Sequence, residues 1–186
     1  MRSILITGVQ GVGKSTLCHS VSARLGMRTW DYADLMLKAD PELPDKDAIA
    51  HLGWIRRSAI YAKVDELLEQ NFSDGCGECI LLENHLSIVD DSGIRTFPLD
   101  AISRYGPVGI VVVEADPEEV VHRRSSDTRR NRWVGSRDEV DEQQRINRGE
   151  TQEIQRRYAL PVHHVQNTHP GTATEDLVVW TMRLLG

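Results

Sequence analysis

Gly8-Val9-Gln10-Gly11-Val12-Gly13-Lys14-Ser15 fills the pattern GxxxxGK[ST] at every fixed position. It directly follows the apolar run Ser3-Ile4-Leu5-Ile6-Thr7 and directly precedes a helical stretch from Thr16 to Leu25. A strand, a glycine-rich turn and a helix start in that order make an anion cradle. The glycines let the backbone turn through positive φ, so several N–H groups converge on phosphate oxygens with no Cβ between them. In this pattern the lysine reaches the β/γ-phosphates and the hydroxyl ligates Mg²⁺, roles that fall to Lys14 and Ser15. The expected nucleotide-binding residues are Gly8, Gly11, Val12, Gly13, Lys14, Ser15 and Thr16, and the expected cofactors are ATP and Mg²⁺. The positive end of the following helix adds about 0.3–1 kcal/mol for an anion at an exposed site.

The rest of the composition narrows the class. A chain of 186 residues implies one domain with a single core. With 40% apolar and 27% charged residues it reads as a globular protein. The longest apolar run, around Gly109 to Val113, is far too short for a bilayer, and residues 1–7 begin a strand rather than a cationic leader, so a cytoplasmic protein is expected. A formal charge of −6 argues against a broad nucleic-acid surface. Lysine occurs only at positions 14, 38, 46 and 63, whereas arginine concentrates at Arg123, Arg124, Arg129, Arg130, Arg132 and Arg137. Arginine forks grip phosphate oxygens bidentately, so this cluster suggests one small anionic ligand; the alternative is a solvated basic helix face. Cys76 and Cys79 have CxxC spacing, but a structural zinc site wants a second pair and only Cys18 remains.

Along the chain, Ser3–Thr7 reads as a strand and Ser15–Leu25 as a helix stopped by Gly26. Met27–Tyr32 follows as a short strand, and Asp34 as the cap of a brief helix to Ala39. Two prolines and three carboxylates make 40–45 a loop, after which helical spacing predicts one long helix from about Lys46 to Gln70. Cys79–Glu83 is an apolar run ending in acid, as expected of a strand buried on both faces whose C-terminal end opens on a site. Ile88–Phe97 reads as a hairpin or irregular loop, Pro98–Tyr105 as a short helix and Val108–Glu114 as a central strand. Asp116-Pro117 starts the helix that leads into the arginine cluster. Gly135-Ser136 interrupts, a polar helix runs from 137 to about 158, Val162–Val165 is the last strand, and Thr174–Leu185 closes the chain as a helix. Alternating strands and helices demand a parallel sheet covered on both sides. The expected fold is three-layer α/β of the P-loop type, a parallel five-stranded sheet with helices on both faces and a short arginine-rich lid.

Phosphoryl transfer needs charge neutralised on the moving group, an acceptor held in line, and exclusion of water. Lys14 and Ser15 cover the donor. Arg130 and Arg132, with Gly135 as a pivot, are candidates to close over the transferring group. Arg56 or Arg57, from the long helix, is a candidate to hold the acceptor. Glu83 stands at a strand end where an acid orients Mg²⁺, directly or through water; its length favours the indirect contact, and the alternative is a carboxylate that merely caps the strand end. His85 is a base, a wall of the acceptor pocket or a purely structural residue. A phosphate acceptor needs no base, whereas an alcohol would turn attention to His85, Glu83 or Asp34.

The chain resembles the archaeal-type adenylate kinases, a compact P-loop family. The resemblance runs through Thr7-Gly8-Val9 to Ser15, Glu83-Asn84-His85 with Gly93 after it, Ile110 to Glu114, Arg123-Arg124, Asp127, Arg130-Asn131-Arg132, Glu142-Gln143-Gln144 and Asn147-Arg148. It implies transfer of the γ-phosphate of ATP to AMP with Mg²⁺, small nucleotide partners, no membrane, and assembly into a homo-oligomer, as many members do. Where the family usually has Asp-Thr-His this chain has Glu83-Asn84-His85. On this reading 1–186 is a single P-loop kinase domain in which 32–70 binds the monophosphate and 123–137 is the lid. Lys14, Arg130, Arg132 and Glu83 are then catalytic; Asp34, Arg56, Arg57 and His85 bind the acceptor; Ser15, and indirectly Glu83, hold the metal. Open alternatives are a P-loop kinase of another small molecule or of a nucleic-acid 5′ end, and a nucleotide-gated regulatory ATPase.

Overall fold

The computed structural model describes residues 2–72, 79–90, 93–128 and 133–186. Five parallel strands form the central sheet in the order β2-β3-β1-β6-β7: β1 Arg2–Thr7, β2 Thr29–Asp31, β3 Cys79–Glu83, β6 Pro107–Glu114 and β7 Val162–Gln166. An antiparallel pair, β4 Ser87–Asp90 and β5 Gly93–Thr96, stands apart from it, so the hairpin expectation holds.

Strand side chains alternate between faces, and the two faces build two cores. Ile4, Ile6, Val111 and Val113 pack on one side with Leu17 and Val21 of α1 (Lys14–Leu25) and Leu177 of α6 (Pro170–Leu185). Leu5, Ile80, Leu82 and Ile110 pack on the other with Leu35 of α2 (Tyr32–Ala39) and Ile60, Val64 and Leu68 of α3 (Trp54–Phe72). The long α5 (Arg137–Tyr158) serves both, through Val140 on the first side and Ile154 on the second. The central strands are therefore apolar without a break, as the sequence predicts for a sheet covered on both faces.

Three local expectations are corrected. The helix expected from Lys46 to Gln70 is a short 3-10 turn, Ala48–His51, followed after Leu52-Gly53 by α3. The Asp45 carboxylate takes the N–H groups of Asp47 and Ala48 and so starts a separate turn. At the other end Arg57 Nη2 takes the carbonyl of Ile49 at 2.9 Å, and those of Ala50 and Leu52 at 3.4 Å, acceptors that a continuous helix would spend on its own N–H groups. The cap of α2 is Asp31, whose Oδ1 accepts from Ala33 N at 2.8 Å, and Asp34 sits in the first turn instead. At the C-terminal end α6 begins at Pro170, a turn earlier than its apolar pattern, because proline is well suited to the first helical position.

Helix α4 (Pro117–Ser125) starts as the sequence predicts, with the Asp116 carboxylate on the N–H groups of Glu118 and Glu119. No helix among the described residues is long and apolar enough to cross a membrane.

Candidate active site

Above the C-terminal ends of β1, β2 and β3 lies a cleft of about 1140 Å³. Its floor is the loop of residues 8–13, where Gly8 and Gly13 have φ of +148° and +90°. Space is as restrictive as torsion there. A Cβ on Gly8 would lie 2.3 Å from the Val113 carbonyl oxygen, and one on Gly13 would lie 2.4 Å from Asn167 Nδ2.

Lys14 is buried, and its Nζ donates to the carbonyls of Gly8 and Val9 at 2.9 and 3.1 Å. His85 Nδ1 stands 2.9 Å from the same Gly8 oxygen and 3.2 Å from Lys14 Nζ. That nitrogen serves only one of them at a time: carrying its proton it donates to Gly8, and without it it accepts from Lys14. His85 thus faces Lys14 as well as the cleft.

Ser15 Oγ donates to Glu83 Oε1 at 2.9 Å. Burial pushes the Glu83 carboxyl above the usual carboxylate range, with Lys14 pulling it down and Asp31 adding to the rise. A hydroxyl and a carboxylate side by side are hard oxygen donors suited to Mg²⁺. No group of three or more His, Cys, Asp or Glu among the described residues forms a metal cage of its own, and Mg²⁺ typically takes one or two protein ligands with phosphates and water.

Asp31 is opposite Glu83 in the β2–β3 register, so two carboxylates share one rim of the cleft. Its Oδ2 accepts from Lys46 Nζ at 2.5 Å, and Lys46 also pairs with Asp34 at 2.8 Å.

Arg57 also lines the cleft, buried with Nη2 spent on the backbone carbonyls named above, while its Nη1 is buried with no hydrogen-bond partner. Beside it Tyr61 and Phe97, whose ring centroids lie 5.2 Å apart, form an aromatic wall. Arg56 turns away: its Nε donates to Asp40 at 2.8 Å and its Nη2 to Glu42 at 3.2 Å. Neither Arg56 nor Asp34 lines the cleft.

Arg123 lines it, with Nη1 on the Val12 carbonyl at 3.2 Å and Nη2 on the Asn167 carbonyl at 3.0 Å. Arg124 is buried, so the cluster is not a solvated basic face there. Arg130 and Arg132, the expected lid arginines, lie outside the described residues, as does Cys76. The structure therefore brings Lys14, Ser15, Glu83, His85 and Arg57 to one cleft and leaves Asp34 and Arg56 off it.

Four contributors were not singled out from the sequence. Asp31 had the same signal as Glu83, an acid ending a strand, and Lys46 is one of only four lysines. Tyr61 and Phe97 carry no local signal, because an aromatic residue at helical or strand spacing reads as core.

A family model described as AAA domain matches residues 7–159. Adenylate kinase of Thermoplasma acidophilum is 30% identical over 151 residues, covering 80% of this chain and 79% of the relative. Adenylate kinase of Thermococcus sibiricus is 29% identical over 156 residues, covering 80% and 77%. Among solved structures, shikimate kinase from Acinetobacter baumannii in complex with shikimate superposes with a TM-score of 0.61 at 15% identity, over 98% of this chain and 92% of that one. At that identity the superposition speaks to the fold alone.

Proposed function

Since the chain belongs to the AAA-domain P-loop family and, within it, to the archaeal-type adenylate kinases, we propose that it transfers the γ-phosphate of ATP to AMP, forming two ADP. The observation that carries this reading is Arg57, a buried guanidinium whose Nη1 has no hydrogen-bond partner, lining the same cleft as Lys14 and Ser15. An unpaired buried donor costs about 1–3 kcal/mol or more, and an anionic acceptor would recover it.

Lys14 would release the Gly8 and Val9 carbonyls and follow the charge that gathers on the β/γ-bridging oxygen as its bond to the γ-phosphorus breaks. Ser15 directly, and Glu83 indirectly, would hold Mg²⁺, which when bound would spread the charge of the transferring group. Arg57 would hold the acceptor phosphate so that one of its oxygens forms the new bond in line. That oxygen is already ionised and needs no base. An alcohol acceptor would need one, and the rim carboxylate nearest Glu83 is engaged on both oxygens, Asp31 by Ala33 N and by Lys46. The aromatic wall of Tyr61 and Phe97 suits a purine ring. We place this activity in the cytoplasm, in a single kinase domain with 32–70 on the acceptor side.

A coupled assay with ATP and each of AMP, CMP, GMP and UMP tests the reading. Saturable turnover is expected with AMP, and Arg57→Ala should raise the KM for AMP by about 10-fold or more, the worth of a charged hydrogen bond. Absence of turnover with all four monophosphates would sink it.

A further inference from the structure

Five consecutive carbonyls of the phosphate loop are held by side chains, three of them from outside the motif. Lys14 Nζ takes those of Gly8 and Val9, and Arg124 Nε takes that of Gln10 at 2.9 Å. Arg123 Nη1 reaches those of Gly11 and Val12 at 3.5 and 3.2 Å, and Asn167 Nδ2 adds a 2.7 Å bond to Val12. A trans peptide is planar, with its C=O and the following N–H pointing opposite ways, and the described chain has no cis peptide. Each pinned carbonyl therefore turns the next N–H, from Val9 to Gly13, to the opposite side of its peptide.

Arg124 differs from the other holders. At 2% exposure it cannot touch a nucleotide, whereas Arg123 lines the cleft. Its fork joins three segments: Nε on Gln10, Nη1 on the Val134 carbonyl at 3.3 Å and Nη2 on Gln143 Oε1 at 3.0 Å. The guanidinium lies over the Trp133 ring, 5.2 Å from its centroid. The loop rests on its stem so closely that a Cβ on Gly11 would come within 3.0 Å of Arg124 Cγ.

We infer that Arg124 is a positioning residue for the donor: through the Gln10 carbonyl it aims the Gly11 N–H at the triphosphate, and its buried charge behind the loop raises the positive potential inside. The inference rests on the loop's being an ATP site and is independent of the acceptor.

Titration calorimetry of Mg·ATP against the wild type and Arg124→Met, Arg124→Lys and Gln143→Leu variants tests it, with circular dichroism to verify folding. Arg124→Met should weaken ATP binding about 10-fold or more, and Arg124→Lys, which keeps stem and charge but not the fork, should fall between it and the wild type. The KM for the acceptor should not move in either. Gln143→Leu removes another bond of the same guanidinium, so it should lower the thermal midpoint yet leave the ATP Kd within about twofold, since the Gln10 bond stays. A folded Arg124→Met that binds ATP like the wild type overturns the inference. So does a Gln143→Leu that weakens ATP as much as Arg124→Met, which would mean general loosening. If Arg124→Met fails to fold, a wild-type Kd in Arg124→Lys overturns it. A wild type that does not bind ATP removes the nucleotide reading itself, and this inference with it.

Discussion

Glu83 combines two demands that pull against each other. Facing a cation favours its ionised form, whereas burial favours its neutral form, and either form can accept from Ser15. Its folded pKa is raised above the unfolded value, so the stability it contributes is fully present below the unfolded pKa and is lost as pH rises through the folded pKa. Glu83→Gln should therefore be more stable than the wild type at neutral pH, with the gap closing on acidification, as urea denaturation across a pH series would register. The same residue should set an acid limb in kcat/KM for ATP above the ordinary glutamate range, and that limb should vanish in the variant. Equal stability of the two proteins at every pH would contradict this. Glu83 was legible in the sequence because an acid ending an apolar strand is a local signal. Which of Arg56 and Arg57 faces inward was not legible, since neighbouring residues on a helix differ by about 100° and only packing against Ile49 to Leu52 selects one.

The 3-10 turn at 48–51 links local capping to the part of the cleft that Arg57 lines. Its first N–H groups belong to Asp45 and its last carbonyls to Arg57, so the turn and the buried guanidinium stabilise one another. Asp45→Ala should cost about 0.5–2 kcal/mol, the usual worth of a cap, and should raise the acceptor KM while ATP affinity holds. Calorimetric unfolding together with separate donor and acceptor titrations would check both halves. A continuous helix over 46–70 was the natural reading of the apolar spacing, and it failed because a side chain competed for the backbone. Helices α4 and α5 came through with their starts intact, because their caps, Asp116 and Ser136 with Glu139, lie within a few residues of what they cap.

The cleft joins segments from most of the chain, so ligand binding should stabilise the fold as a whole. At about 100 times its Kd, ATP should contribute about 2.7 kcal/mol, or about 5–10 °C in Tm for a domain of this size. Lys14→Ala should lose most of that shift, each protein being measured against its own unliganded Tm. A scanning calorimetry pair with and without Mg·ATP would show it, and an undiminished shift in the variant would remove Lys14 from the donor site. The sequence by itself determined the phosphate loop, the layered α/β fold and the acid opposite the loop, because each is written in contiguous residues or in a short period. Only the tertiary structure decided that Asp31 stands beside Glu83, that Arg57 and not Arg56 turns inward, and that Arg124 lies buried beneath Gln10. These depend on strand register and on helices packed from distant parts of the chain, and no local pattern encodes which side chain a fold will bury against which backbone carbonyl.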